Sequence, residues 1–326
     1  MIRARIVGTG HYMPDRLVTN AELEKLTDTS DEWIRQRTGI LQRYFSEPES
    51  GASALAVPAS QKALQSAGIG PGDLDLIICA TTTPDYVFPA TACVVQEALG
   101  ITNTPAFDLN AACSGFMYGL STANAFIRSG TYKTILVVAS EIVSNRISFK
   151  KRDTAVLFGD GAGAVVMKAE EGDHGVLTTH LWADGGGREI LWLPIGGSKT
   201  PTTPENYADD GTTIQMKGKE LFKRAVVEFG DAIEVALKAA NVDLSEISLF
   251  VPHQANVRIL QSVAERLGMP QEKVIINLDR VANTVAASIP IALSECVEQG
   301  RIKSGDMILL ASFGAGLTWG SAVVRW

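Results

Sequence analysis

The chain has little of what staples or ligates. It holds four cysteines in 326 residues, Cys79, Cys93, Cys113 and Cys296, and no C-x-x-C pair. That excludes a disulfide framework. Four histidines occur, His11, His174, His180 and His253, and none pairs closely with a cysteine. No structural zinc site is expected, and no metal. Positive charge is also short: 29 Lys and Arg face 36 Asp and Glu, a net charge of −7. General nucleic-acid binding is not expected of such a chain. No apolar run approaches the ~18 residues of a membrane span. The opening "MIRARIVGTGHYMP" lacks the continuous apolar core of a signal peptide. The expectation is a cytoplasmic protein with neither membrane nor nucleic acid as partner.

What is present is ordinary globular composition, 46% hydrophobic and 20% charged. The length suits one large domain or two ordinary ones, with a sizeable core. Extended apolar runs alternate with helical patterns, which predicts an α/β protein. A repeat runs through them. "ALQSAGIGPGDLDLIICA" (63–80) aligns without a gap to "ALKAANVDLSEISLFVPH" (236–253) at a shift of 173 residues. "TILVVAS" (134–140) matches "MILLAS" (307–312) at a shift of 172. Each half closes on a glycine-rich turn and "AVV". The expectation is a duplicated α/β unit, with halves 1–172 and 173–326 and a site between them at strand ends. The polar stretch 200–213, "TPTTPENYADDGTT", reads as a surface loop.

Cys113 stands in "DLNAACSGF", between an extended run at 105–109 and apolar residues Phe116, Leu120, Ala123 and Ile127 at helical spacing. Most cysteines are simply small buried hydrophobes, and Cys79, Cys93 and Cys296 suit that reading. A helix N-terminus stabilises an anion, so this placement is expected to lower a thiol pKa. Small neighbours leave room to reach the sulfur. A nucleophilic thiol usually has a histidine near it. His253 follows the β run 247–251 in "FVPHQAN" and precedes helical spacing at Val257, Leu260, Val263 and Leu267. Asn283 lies between the apolar run 274–278, read as a strand, and an Ala-rich helix bent or restarted at Pro290. His11, His174 and His180 have no comparable placement. "FGDGAGA" (158–164) matches the dinucleotide fingerprint formally. The extended "AVVM" after it replaces the helix that fingerprint needs, so it reads as strand–turn–strand. The turn in "SFGAGLTWG" (312–320) can offer backbone N–H groups to an oxyanion or be merely a tight turn.

Cys113 in "ACSGF", His253 in "HQAN" and Asn283 in "ANTVAAS" resemble the Cys–His–Asn set of the β-ketoacyl-acyl-carrier-protein synthase III family. "TSDEWIRQRTGI" (29–40), "FGDGAGA" and "FGAGLTWGSAVVRW" (313–326) extend the likeness over the whole chain. The resemblance implies a thiolase-like fold of two similar halves in a five-layered α-β-α-β-α arrangement, and a homodimer. It implies decarboxylative condensation of an acyl-CoA with malonyl-acyl carrier protein through an acyl-Cys113 intermediate, without a cofactor. Backbone N–H groups of Cys113 and of Ala315 or Gly316 would hold the oxyanion. Trp33 and Arg152 would sandwich the adenine of coenzyme A, with Thr29 and Arg37 nearby. An indole and a guanidinium are a good stacking pair for a base. Gly218, Phe222 and Asn256 would line the pantetheine path. Phe88 from one subunit would reach the acyl pocket of the other, which Val143 and Phe313 help to shape. Lys223 and Arg258 match basic positions for the acidic carrier protein, and Glu265 stands where another lysine can occur.

The chain departs from the family pattern at Ala282, where glycine often precedes the asparagine, at Val285, where serine follows it, and at Ala315, where glycine is common. Rival readings are an acyl-cysteine enzyme with another acceptor (polyketide or quinolone priming, or O-acyl transfer), a silent partner subunit, and a cysteine peptidase. Conserving three reactive groups suits no silent subunit. The duplicated halves and the Trp33/Arg152 pair have no place in a peptidase.

Overall fold

The computed structural model describes residues 1–208 and 210–326. Two sheets organise them. The first has five strands in the order Ile2–Tyr12, Gly161–Glu171, Thr134–Glu141, Leu76–Ala80, Ala106–Leu109. The second has four, in the order Ile247–Pro252, Met307–Gly314, Thr318–Arg325, Gly175–Ala183. All strands of the first come from residues up to 171, all of the second from 175 onward. Parallel pairing links Leu76–Ala80 to Thr134–Glu141 and to Ala106–Leu109, and Ile247–Pro252 to Met307–Gly314. The "TILVVAS" and "MILLAS" matches therefore occupy equivalent places in the two sheets.

Side-chain alternation sorts these strands into layers. Leu76, Ile78 and Ala80 share a core with Phe116 and Leu120 of the helix Gly115–Ser129 and with Ile289 and Leu293 of the helix Ser288–Glu298. Ile308 and Leu310 of the other sheet close the same core. Ile77 and Cys79 face the other way, onto Leu55, Ala59 and Val95. Leu309 and Ala311 likewise face Phe229, Ile233 and Val263 on the outer helices Gly218–Ala240 and Val257–Leu267. Two central helices thus lie between two sheets, and each sheet carries helices outside. This is the five-layered α-β-α-β-α arrangement. Strands covered on both faces need apolar residues throughout, hence the continuous runs in the sequence.

Four local readings change. The segment before "GAGAVV" is not a strand; it joins its neighbours through one bridge, Phe158 to Asn283. Gly163 in that motif lets the Ser288–Glu298 helix cross the sheet closely: a Cβ there would sit 2.6 Å from Ile291 N. Residues 274–278 are not a strand either. Val274 makes one bridge to Phe250, and the Gln254 side chain accepts from the N–H groups of Asn277 and Leu278 (3.0 and 3.3 Å) in place of a ladder partner. Pro290 neither bends nor restarts its helix. It is the third residue of Ser288–Glu298, where a backbone N–H has no intrahelical partner to lose. Cys93 is exposed, unlike buried Cys79 and Cys296. The described part of 200–213 is loop and turn, mostly exposed, with Asp209 outside the described residues.

Candidate active site

The strand Ala106–Leu109 runs into a single 3-10 turn, Ala112–Ser114, and then into the Gly115–Ser129 helix. Ala112 takes φ 47, in the left-handed region, and its N–H donates to Asn110 Oδ1 at 3.2 Å. This sharp turn sets Cys113 at the helix entrance, buried. Gly314, the last residue of its strand, lies against the thiol; a Cβ there would come within 2.5 Å of Cys113 Cβ and 3.0 Å of Sγ. Glycine is required by that approach. The backbone N–H groups of Ala315 and of Cys113 itself reach the sulfur. Ala315 is outside the left-handed region, which Gly316 occupies with φ 132. Ala315 therefore offers its N–H without backbone strain, and it, rather than Gly316, is the residue that touches the sulfur.

The expected fall in thiol pKa is not what this pocket imposes. Burial pushes the Cys113 thiol up to about 12, with the charge of Glu141 adding to the rise and the two N–H groups opposing it. The helix entrance cannot offset complete desolvation of a thiolate. Glu141 itself escaped the sequence reading, because a glutamate ending an apolar β run looks like the strand's wet exit. It is fully buried. Its carboxylate accepts from Thr82 N–H (3.1 Å to each oxygen), Thr82 Oγ1 (2.7 Å) and Thr83 Oγ1 (2.9 Å), and from the backbone of Ala286. Burial raises its pKa to about 7.

His253 follows Pro252 at a strand end, with its N–H on Ala311 O at 2.8 Å. Its Nδ1 lies 2.7 Å from Ser288 Oγ, and the Gln254 N–H donates to the same oxygen at 3.3 Å. The buried hydroxyl has no other acceptor for its proton among the described residues, so it donates to Nδ1. The network so assigns the Nε2–H tautomer. Nε2 has no hydrogen-bond partner among the described residues. Burial lowers the His253 pKa to about 3, so the ring is neutral at pH 7. Asn283 is held by backbone bonds to Leu157 O (3.0 Å) and from Gly159 N–H (3.1 Å). Its Oδ1 accepts from Val285 N–H at 2.9 Å, which leaves the Nδ2 donors for the cavity. The 285–287 turn after it packs on the Cys113 turn, Ala286 Cβ lying 3.2 Å from where a Gly115 Cβ would be. The turn after Asn283 thus packs on the Cys113 turn, and His253 is bonded through its backbone to Ala311, three residues before the Gly314 that lies against the thiol.

At the entrance, the Arg152 guanidinium lies 4.3 Å from the Trp33 ring centroid. The two stack on each other, and a base fits between them only after the guanidinium moves out. Arg37 approaches the same ring at 5.9 Å, and its carbonyl accepts from Asn256 Nδ2 at 3.0 Å. Thr29 Oγ1 is buried without a partner. Gly218 opens the Gly218–Ala240 helix, with Phe222 half-buried one turn on. Lys223, Arg258 and Glu265 are exposed. Val143 shares an apolar cluster with Cys113 and Val285. Phe313 instead packs with Phe222 and Trp319. Phe88 is no core phenylalanine: it is 84% exposed beside Val87 at 96% and Tyr86 at 59%.

Comparison with known proteins gives the family. Models of 3-oxoacyl-[acyl-carrier-protein (ACP)] synthase III match residues 107–185, and of its C-terminal part residues 237–326. The β-ketoacyl-[acyl-carrier-protein] synthase III of Caldanaerobacter subterraneus is 48% identical over 325 residues, covering 100% of this chain and 98% of that one. The crystal structure of 3-oxoacyl-[acyl-carrier-protein] synthase III from Aquifex aeolicus superposes with TM-score 0.92 at 45% identity, covering 99% and 100% of the two chains. The priming β-ketosynthase of the R1128 polyketide pathway superposes with TM-score 0.91 at 33% identity, covering 99% and 96%. By identity over its full length, the chain belongs to the β-ketoacyl-[acyl-carrier-protein] synthase III family.

Proposed function

We propose that the protein joins an acyl-CoA starter to malonyl-acyl carrier protein, with loss of carbon dioxide, as the first condensation of fatty acid synthesis. Cys113 sulfur attacks the acyl-CoA carbonyl, and the N–H groups of Cys113 and Ala315 receive the developing oxyanion. Coenzyme A leaves with the thiol proton. Malonyl-carrier protein follows through the same entrance. His253 Nε2–H and Asn283 Nδ2–H donate to its thioester oxygen while carbon dioxide departs, so the enolate charge rests on two neutral donors. The enolate carbon attacks the acyl-Cys113 carbonyl, the C–S bond breaks, and the departing thiolate takes a proton from solvent to restore the thiol. These steps use only this chain's own donors.

The observation that carries this reading is the pinning of both donors: His253 by Ser288 and Asn283 by Val285, each with its free N–H left for a ligand. Trp33, Arg152, Arg37 and Thr29 are proposed to take the adenosine end, with Gly218, Phe222 and Asn256 along the pantetheine. Lys223 and Arg258 are proposed to meet the carrier protein. The exposed Tyr86–Val87–Phe88 run supports a homodimer in which Phe88 enters the partner's acyl pocket. No described helix is long and apolar enough to cross a membrane.

Intact-mass measurement after incubation with a panel of acyl-CoAs tests the first step. One acyl group should load on the native chain and none on Cys113→Ala. Loading of the variant would move the nucleophile elsewhere. A second reading, priming of a polyketide-type pathway, is favoured by the likeness to the R1128 enzyme. It predicts preferred loading by longer or unusual acyl groups and poor transfer to a fatty-acid carrier protein.

A further inference from the structure

The guanidinium of Arg43 is fully buried. No carboxylate within salt-bridge distance neutralises it among the described residues. Its Nη1 donates to Asn20 Oδ1 at 2.6 Å and its Nη2 to Val156 O at 3.0 Å, while Nε has no partner. Burial lowers its pKa to about 10, so it remains charged at pH 7. Taking an unpaired guanidinium out of water costs several kcal/mol even after relaxation. A core position facing only apolar neighbours would be served better by methionine or leucine.

Its two partners explain the placement. Val156 is the C-cap of the short helix Arg152–Ala155, the one that begins with Arg152. Asn20 uses its other amide atoms to donate to Asp31 Oδ1 and to Ile40 O, both at 2.8 Å. Asp31 opens the helix Asp31–Thr38, which carries Trp33, and Ile40 follows that helix's end. One buried cation therefore ties the element bearing Arg152 to both ends of the element bearing Trp33. The sequence separates Arg152 from Trp33 by more than a hundred residues; beside this relay, Arg152 Nη1 donates to Asp28 O at 3.2 Å.

We infer that Arg43, through Asn20 and Asp31, is the positioning residue of the adenine clamp: it sets the spacing between Trp33 and Arg152 without touching coenzyme A. This rests on the proposal that these two side chains grip the adenine. The clamp must open to admit a base, since the guanidinium now lies on the indole. A fixed hinge behind both walls lets Arg152 swing while their backbones keep register. Each hydrogen bond lost from the relay loosens the pair and reaches only substrates that carry adenine.

The test is the ratio of KM for acyl-CoA to KM for the matching acyl-pantetheine, which lacks adenine. Trp33→Ala should raise that ratio, about five- to a hundredfold by the weight of base stacking. Asp31→Ala, which removes the acceptor of Asn20 Nδ2, and Arg43→Met should each raise it about fivefold, the weight of one ordinary hydrogen bond, with kcat at saturating acyl-CoA kept. Arg43→Lys, which keeps the charge but reaches one partner only, should fall between. Asp31 is on the surface turn of its helix, so Asp31→Ala decides the matter if Arg43→Met does not fold. A raised ratio for Trp33→Ala with an unchanged ratio for Asp31→Ala overturns the relay alone. An unchanged ratio for Trp33→Ala overturns the clamp itself.

Discussion

Ser288 Oγ stands 2.7 Å from His253 Nδ1 and decides which nitrogen of that ring carries the proton. Their separation in sequence, 35 residues, spans the loop that carries Asn283. One hydroxyl thus orients the imidazole donor from the helix that begins just past the amide donor. Ser288→Ala removes the tautomer bias and leaves Nδ1 buried without a partner. Acyl loading on Cys113, followed by intact mass, should persist. Release of carbon dioxide from malonyl-carrier protein should fall about tenfold, the value of a lost buried hydrogen bond near the upper end of its range. Full decarboxylation by Ser288→Ala would dissociate the hydroxyl from the chemistry.

The two donors should fail together. His253→Ala and Asn283→Ala are each expected to accept an acyl group on Cys113 and to lose decarboxylation by about a hundredfold or more, as removal of one oxyanion donor typically does. Rapid-quench measurement of both half-reactions separates them. If loading drops as far as decarboxylation in both variants, His253 and Asn283 serve the thiol and not the enolate.

After burial, the charge of Glu141 is what most opposes ionisation of that thiol. Its charge helps to raise the Cys113 pKa, so Glu141→Gln should speed iodoacetamide labelling of Cys113 at pH 8 and move its pH profile to lower pH. Stability should respond as well. The folded carboxyl titrates at about 7, above its ordinary 4.5, so the fold holds the proton more tightly than the unfolded chain does. That contribution is complete below about 4.5 and is lost as pH rises through about 7. The native protein should therefore lose more stability than Glu141→Gln between pH 5 and pH 8. Parallel melting curves for the two proteins across that range would refute the buried titration.

Cys113, His253 and Asn283 are legible in the sequence because each follows an apolar run and precedes helical spacing, and because the repeat predicts facing halves. The repeat predicts the duplicated α/β unit, and the five layers come from the family resemblance. Ser288, Glu141 and Arg43 are not legible. Serine in an Ala-rich helix, glutamate after a β run and arginine in "LQRYF" all read as surface. Their meaning lies in partners brought from distant segments, which no local spacing encodes. The strand expected at 274–278 failed for a related reason. Its apolar pattern was sound, but the Gln254 side chain claimed the N–H groups a neighbouring strand needs.

The last expectation concerns Ala282, the residue before Asn283. Its backbone sits at φ 61 and ψ −161, a conformation almost reserved for glycine. Val285, two residues beyond Asn283, also has positive φ at 51, unusual for a β-branched side chain. The loop that aims the amide is therefore held under backbone strain, and the surrounding bonds from Leu157 and Gly159 keep it there. Ala282→Gly relieves a cost of about 1–3 kcal/mol. It gives back roughly 0.5–1 kcal/mol through the freer unfolded chain. The net gain should be about 1 kcal/mol in urea unfolding, with m unchanged. Because the strained loop is anchored on both sides, decarboxylation by the variant should stay within about twofold of native. A destabilised Ala282→Gly would show that alanine's methyl packing outweighs the strain, and would remove strain as a property of this loop.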